Sequence, residues 1–193
     1  QDVVGPLGNP ADVVKRGEVA VVGGGVGIAA AYPRIRAERE AGNRVVSIIG
    51  AKTSGLLIME KEVGEVSDEV HVSTDDGSRG YLGFTSDVLR DLLSRGRRFG
   101  LVFAVGPAPM MRAVAEVTRP YGVETVVSLN SLMVDGTGMC GACRVTVGGQ
   151  TRFTCIDGPE FDGHLVDFAE LLARLRTYLE EEKKAVQALE GGQ

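Results

Sequence analysis

Glu18-Val19-Ala20-Val21-Val22-Gly23-Gly24-Gly25-Val26-Gly27 is the stretch on which the fold turns. Its first half is a short β-branched run. Its second half is a glycine turn that opens into residues 28–41, which read as a helix. A strand that meets a helix through glycines begins a βαβ unit. Outward from it the rhythm repeats. Strands are expected at 45–49, 70–73, 101–105 and 123–129, and helices at 56–63, 84–95 and 107–119, the last with Pro107 at its start. This alternation predicts an α/β fold: a five-stranded parallel, doubly wound, Rossmann-like nucleotide domain over 18–129.

The carboxyl ends of such strands are where ligands bind, and the candidates follow from that edge. Gly23, Gly24, Gly25, Val26 and Gly27 sit where a dinucleotide pyrophosphate would meet helix N–H groups and the positive end of the helix dipole. A tight turn without ligand would need the same glycines. The acidic residue that usually closes the second strand is absent; residues 50–54 are Gly-Ala-Lys-Thr-Ser. Thr53 and Ser54 can bond a ribose instead. After the third strand, Asp75 and Asp76 can do so as well, and their charge opposes a 2′-phosphate, which favours NAD over NADP. Lys52 argues weakly the other way. After the fourth strand, Gly106 and Pro107 open another helix, with Met110 one turn in. His71 and His164 read as packed or partly exposed side chains without catalytic duty, and no catalytic residue is assigned.

Residues 130–161 break the rhythm and hold all three cysteines. Cys140, Cys143 and Cys155 are spaced C-x2-C-x11-C. Five residues before Cys140 stands Asp135, which gives D-x4-C-x2-C through Gly136, Gly138 and Gly141. Plant-type [2Fe–2S] proteins carry C-x4-C-x2-C and a distant cysteine, so the pattern predicts a cluster held by Asp135, Cys140, Cys143 and Cys155. A closed zinc site on the same four residues and a Cys140/Cys143 thiol redox pair are the alternatives. Residues 144–147 and 151–155 read as a hairpin about Gly148-Gly149. Over 162–193 an amphipathic helix and tail is expected, with Phe168, Leu172, Leu175 and Leu179 on one face.

With 193 residues, 44% apolar, there is material for one domain with an appendage. A net charge of −5 offers no basic stripe for nucleic acid. No run reaches the ~20 apolar residues of a membrane span, and no secretory signal is seen, so a cytoplasmic chain is expected. Residues 1–17 are punctuated by Gly and Pro and read as a linker from something upstream.

The glycine turn with Pro33, the run Phe103-Ala104-Val105-Gly106-Pro107 with Met110, and above all the segment 128–145 with 155–161, resemble the ferredoxin–NADP reductase superfamily. The likeness is strongest to the small subunits of NADH-dependent reduced ferredoxin:NADP oxidoreductases and sulfide dehydrogenases. Electron-transfer subunits of dihydroorotate dehydrogenase and hydrogenase gamma subunits are relatives. The resemblance implies an oxidoreductase subunit that takes electrons from NAD(P)H through FAD and a [2Fe–2S] cluster to a larger oxidoreductase subunit or ferredoxin-linked partner. It also implies that Asp135 stands where dihydroorotate relatives have cysteine. The FAD-binding barrel of the family would precede residue 1, so FAD is expected in the complete protein and this portion alone is expected to be inactive. A nucleotide-binding module with structural zinc, and an NADH-linked thiol regulator, remain as other readings of the residues.

Overall fold

The computed structural model describes residues 5–191. β1 (Glu18–Gly24) runs into α1 (Gly27–Glu40). Then follow β2 (Arg44–Ala51), a 3₁₀ turn (Ser54–Leu56), α2 (Glu60–Val66), β3 (Glu69–Thr74), β4 (Tyr81–Leu82), α3 (Thr85–Ser94), β5 (Leu101–Val105), α4 (Ala108–Thr118) and β6 (Thr125–Ser128). Beyond the alternation lie β7 (Arg144–Val147), β8 (Gln150–Phe153), the single turn α5 (Thr154–Asp157), β9 (Glu160–Asp162), α6 (Phe168–Leu175) and α7 (Leu179–Glu190).

The main sheet has the order β4-β3-β2-β1-β5-β6-β9. β1, β2, β3, β5 and β6 are the five expected strands, all parallel. The sheet has seven strands rather than five: β4 adds in parallel outside β3, and β9 pairs antiparallel with β6, with Val127 opposite Phe161. Segments of two or three residues have no readable periodicity; the open edges of β3 and β6 recruit them. The chain winds outward from β1 to β3 and returns to the far side of β1 as β5. The turns after β1 and β5 are therefore neighbours at the switch point of the sheet.

Each face of the sheet buries its own core. On one, Val19, Val21, Val45, Ile49, Leu101 and Phe103 pack under Ile28, Ala31 and Ile35 of α1. On the other, Val22, Val46, Ile48, Val102 and Ala104 pack under Leu89 of α3 and Met111 and Val114 of α4. Val145 of β7 and Phe168 and Leu171 of α6 join this second core. The cysteine-bearing segment is thus sewn to the sheet twice, by β9 at its edge and by β7 and α6 over its face.

The expected single C-terminal helix is two helices. Thr177 Oγ1 donates to the Arg174 carbonyl at 2.7 Å and the chain turns before α7. Leu172 and Leu175 pack against the core, but Leu179 is 41% exposed. The core surface ends at Leu175, so nothing holds α7 in line. The second hairpin strand is also shorter than expected: β8 stops at Phe153, and Cys155 lies in α5, where the Asp157 carboxylate takes the Phe153 N–H at 2.6 Å.

Of the linker expected at 1–17, residues 1–4 lie outside the described residues, as do 192–193 of the tail. The remainder, up to β1, runs beside the cysteine lobe: Asn9 N–H donates to Gly158 O at 2.6 Å, and its side-chain amide to Asp157 O at 2.9 Å. A buried ion network fastens it further. Arg34 of α1 donates to Glu38 and to Glu160 of β9, both at 2.8 Å, and to Asp12 O at 3.0 Å, with its guanidinium over Phe103.

At the amino edge, Arg97 bridges Glu18 of β1 and Glu69 of β3, with nitrogen–oxygen distances of 2.6–3.0 Å. Arg44 spans the same two carboxylates. His71 serves this edge, its Nε2 2.7 Å from Glu69 Oε1; His164 Nε2 meets Thr118 Oγ1 at 2.9 Å. Arg97 holds the Glu69 carboxyl down at about 2, against an ordinary 4.5. A carboxyl depressed by folding stabilises fully above its unfolded value and less as pH falls through the folded one. Denaturant titrations should therefore show stability lost between pH 4.5 and 2, with a flatter profile, and lower stability at pH 7, for Glu69→Gln.

Candidate nucleotide edge and cysteine loop

The strand ends bring the expected nucleotide residues to one edge. Gly25 N–H donates to Gly50 O at 2.8 Å, Asp75 N–H to Ala51 O at 3.2 Å, and Ser54 N–H to Ser78 Oγ at 2.8 Å. The turns carrying Gly23–Gly27, Thr53–Ser54 and Asp75–Asp76 are thereby tied side by side. The turn with Gly106, Pro107 and Met110 closes the other flank: a Cβ on Gly27 would lie 2.5 Å from Val105 O, and one on Gly106 3.0 Å from Gly24 N and O. A side chain on Gly24 would run into Met110 Sδ. Gly24, Gly27 and Gly106 are thus required for packing, whatever else they do. Gly25 differs: it has φ +55° and open space around it. Val26 is 85% exposed at the start of α1, and its amide and that of Gly27 find no acceptor among the described residues. A helix start with free amides is fitted to an anion.

Gly50 explains the missing acidic residue. A Cβ there would lie 2.6 Å from Thr85 Cγ2 and 2.7 Å from Ser73 Oγ, because α3 begins against the end of β2. Just past the end of β3, Asp76 is exposed and Ser78 donates to it through Oγ and N–H at 2.6 and 3.0 Å. These bonds hold its carboxyl below the usual range, so it is an anion at neutral pH.

The cysteine loop leaves the sheet from the end of β6, on this same edge. Its four candidate ligands form two pairs. Cys143 and Cys155 are buried, with their sulfurs 3.2 Å apart. Burial pushes the Cys155 thiol up, and the Cys143 thiol beside it pushes the same way. Asp135 and Cys140 are exposed and linked through the backbone: the Asp135 carboxylate accepts N–H bonds from Thr137 at 2.7 Å and Cys140 at 3.0 Å. The Thr137 bond foremost holds the Asp135 carboxyl below its ordinary value, so a carboxylate is ready at neutral pH. Among the described residues no three Cys, Asp, Glu or His side chains meet at one point. Gly136, Gly138 and Gly141 all have positive φ, and a side chain at Gly138 would collide with Ile156. Three soft sulfurs and one ionised carboxylate around a loop of bare backbone fit an iron–sulfur group in donor chemistry.

Two contacts escaped the sequence reading. Arg174 of α6 and Arg144 of β7 both reach carbonyls of the Cys140–Cys143 loop, at 2.9 and 3.1 Å. Arg174 is thirty-one residues beyond Cys143, too far in sequence for any spacing rule to link them.

A mostly parallel sheet with a glycine-turn edge and a cysteine-loop lobe is a fold of the ferredoxin–NADP reductase type. Residues 130–167 match the iron–sulfur cluster binding domain of dihydroorotate dehydrogenase B. A Thermotoga maritima homolog of the dihydroorotate dehydrogenase B (NAD(+)) electron transfer subunit is 54% identical over 94% of this chain and 64% of that protein. The structure of an NADH-dependent reduced ferredoxin–NADP oxidoreductase, described for flavin-based electron bifurcation, superposes with a TM-score of 0.89 at 52% identity, over 97% of this chain and 67% of that one. The C-terminal domain of a Pyrococcus furiosus hydrogenase matches at 28% identity and a TM-score of 0.54, covering 65% of this chain and 100% of that domain. Over nearly its whole length the chain is similar to electron-transfer subunits of oxidoreductases, of the dihydroorotate dehydrogenase B and ferredoxin–NADP oxidoreductase kinds. It spans about two thirds of the length of the relatives it matches. No described helix is long and apolar enough to cross a membrane.

The glycine turn separates closely packed positions, Gly24 and Gly27, from open ones, Gly25 and Val26. Val26→Asp adds an anion at an exposed helix start, so it should leave thermal stability unchanged or slightly raised while lowering NADH affinity by about tenfold or more in equilibrium titration. Gly27→Ala should instead lose about 1–3 kcal/mol of stability.

Proposed function

We propose that this chain is the NAD(P)H-binding and [2Fe–2S]-bearing portion of an electron-transfer flavoprotein subunit. The observation that carries the reading is the division of Asp135, Cys140, Cys143 and Cys155 into two pairs within a segment matched by an iron–sulfur domain. Two irons ask for two ligands each, whereas one zinc ion would draw all four to a point. When bound, the nicotinamide, flavin and iron–sulfur groups supply the redox chemistry, hydride on one side and single electrons on the other.

The chain's own work is binding and tuning. The free amides of Val26 and Gly27 hold the pyrophosphate. Thr53, Ser54, Asp75 and Asp76 bond the adenosine ribose, and the two carboxylates repel a 2′-phosphate, so NADH is preferred. Gly106 and Pro107, with Met110 behind them, let the nicotinamide half approach the sheet. Residues 18–129 serve as the nucleotide domain, 130–161 as the cluster lobe and 5–17 as the path from a flavin barrel. The electron partner is a larger oxidoreductase subunit or a ferredoxin-linked protein, in a cytoplasmic setting.

Anaerobically reconstituted protein should absorb in the visible and hold about two irons and two acid-labile sulfides per chain. Cys143→Ser should lose most of that absorbance. Asp135→Cys should keep it with an altered spectrum and a changed potential. A colourless chain that binds zinc and refuses iron and sulfide overturns the reading. NADH should bind more tightly than NADPH, and Asp76→Asn should narrow the gap; equal affinities in the unaltered chain would remove the ribose assignment.

A further inference from the structure

The short run Cys140-Gly141-Ala142-Cys143 is held by its carbonyl oxygens. Arg144 Nη1 donates to Gly141 O at 3.1 Å, and the Arg144 N–H to the same oxygen at 3.3 Å. Arg174 Nη2 donates to Ala142 O at 2.9 Å. Thr154 donates to Cys143 O through both Oγ1, at 3.0 Å, and N–H, at 3.2 Å. The cis peptide bonds of the described residues lie elsewhere, before Pro6 and Pro159, so these peptide units are trans. In a trans unit the carbonyl and the following N–H point in opposite directions. Fixing the oxygens of Gly141 and Ala142 on the arginines therefore turns the amides of Ala142 and Cys143 the other way. The first of these amides shows where that is: Ala142 N lies 3.4 Å from Cys140 Sγ.

The two arginines also bring charge. An iron–sulfur group on thiolates and a carboxylate is anionic, and each added electron makes it more so. Cations and N–H groups directed at its ligands favour the reduced form. Arg174 is half-buried, so solvent screens it less than the exposed Arg144. It is also the more firmly placed. Its helix is anchored by Phe168 and Leu171 in the core, and Asp167 caps the helix start by accepting the Glu170 N–H at 2.9 Å.

We propose that Arg174 and Arg144 are positioning residues for the cluster loop: by holding the Ala142 and Gly141 carbonyls they turn the Cys143 and Ala142 amides to the opposite side, where Ala142 N meets Cys140 Sγ, and their charge raises the reduction potential of the group bound there. The proposal rests on the ligand set advanced above. It gives α6 a role beyond covering the sheet, since the end of this helix delivers a cation to a loop more than thirty residues away.

The test is the midpoint potential of the reconstituted chain, read spectroelectrochemically beside iron and sulfide content, for the unaltered protein and for Arg174→Lys, Arg174→Gln and Arg174→Leu. Arg174→Leu removes charge and donor and should cut the reduced-to-oxidised ratio at fixed applied potential about tenfold, which is 59 mV for one electron. Arg174→Gln should fall between, and Arg174→Lys, which keeps the charge, should stay nearest the unaltered value. Arg144→Gln should give a smaller shift that added salt abolishes. If Arg174→Leu does not load, the Lys–Gln difference carries the test. Loaded Arg174→Gln or Arg174→Leu chains with the unaltered potential overturn the proposal. Absence of iron and sulfide from the unaltered chain instead overturns the ligand set on which it stands.

Discussion

Close contact between two backbone turns sets the geometry of the whole carboxyl edge. Gly24 and Gly27 at the end of β1 press against Val105 and Gly106 at the end of β5, with no room for a Cβ between them. A side chain at either turn would push apart the two strands whose adjacency defines the switch point. The exposed start of α1 and the position of Met110 both follow from that contact. Gly50 repeats the constraint one strand over, where α3 leaves no space for an acidic side chain. Glycine here is first a packing residue; the binding role proposed for it draws on the same bare backbone.

Around this edge, ion pairs act as joints between segments distant in sequence. Arg34 and Glu38 are almost wholly removed from solvent, and Glu160, Asp12 and Asn43 complete their partners. A buried pair returns little net stability, but separating it is costly because a lone buried charge remains. The network therefore fixes how α1, the incoming segment and β9 sit together more than it adds to the total. Arg97 and Arg44 do similar work in a wetter setting, lacing the amino ends of β1 and β3.

The cysteine lobe depends on both sets of constraints. Its hairpin and α6 share the core of α3 and α4, and its last strand extends the sheet. The Cys143–Cys155 pair is buried in this frame, while Asp135 and Cys140 face solvent on the glycine loop. One pair is thus placed by the core and the other by local N–H bonds, so the two pairs have different surroundings.

The sequence by itself determined the alternation of strands and helices, the glycine turn and the D-x4-C-x2-C-x11-C spacing, because each is written in neighbouring residues: β-branched runs, positive-φ glycines, thiols at fixed offsets. It left open what depends on contacts distant along the chain. β4 and β9 are too short to carry a period and exist because an edge is free to pair. The C-terminal helix breaks in two because the core surface stops at Leu175, a limit no helical pattern records. The reason for glycine at 50 lies in Thr85 and Ser73. Arg174 meets Ala142 only because α6 packs under β7. These features were decided by tertiary structure, since burial and close approach are properties of surfaces that sequence spacing does not bring together.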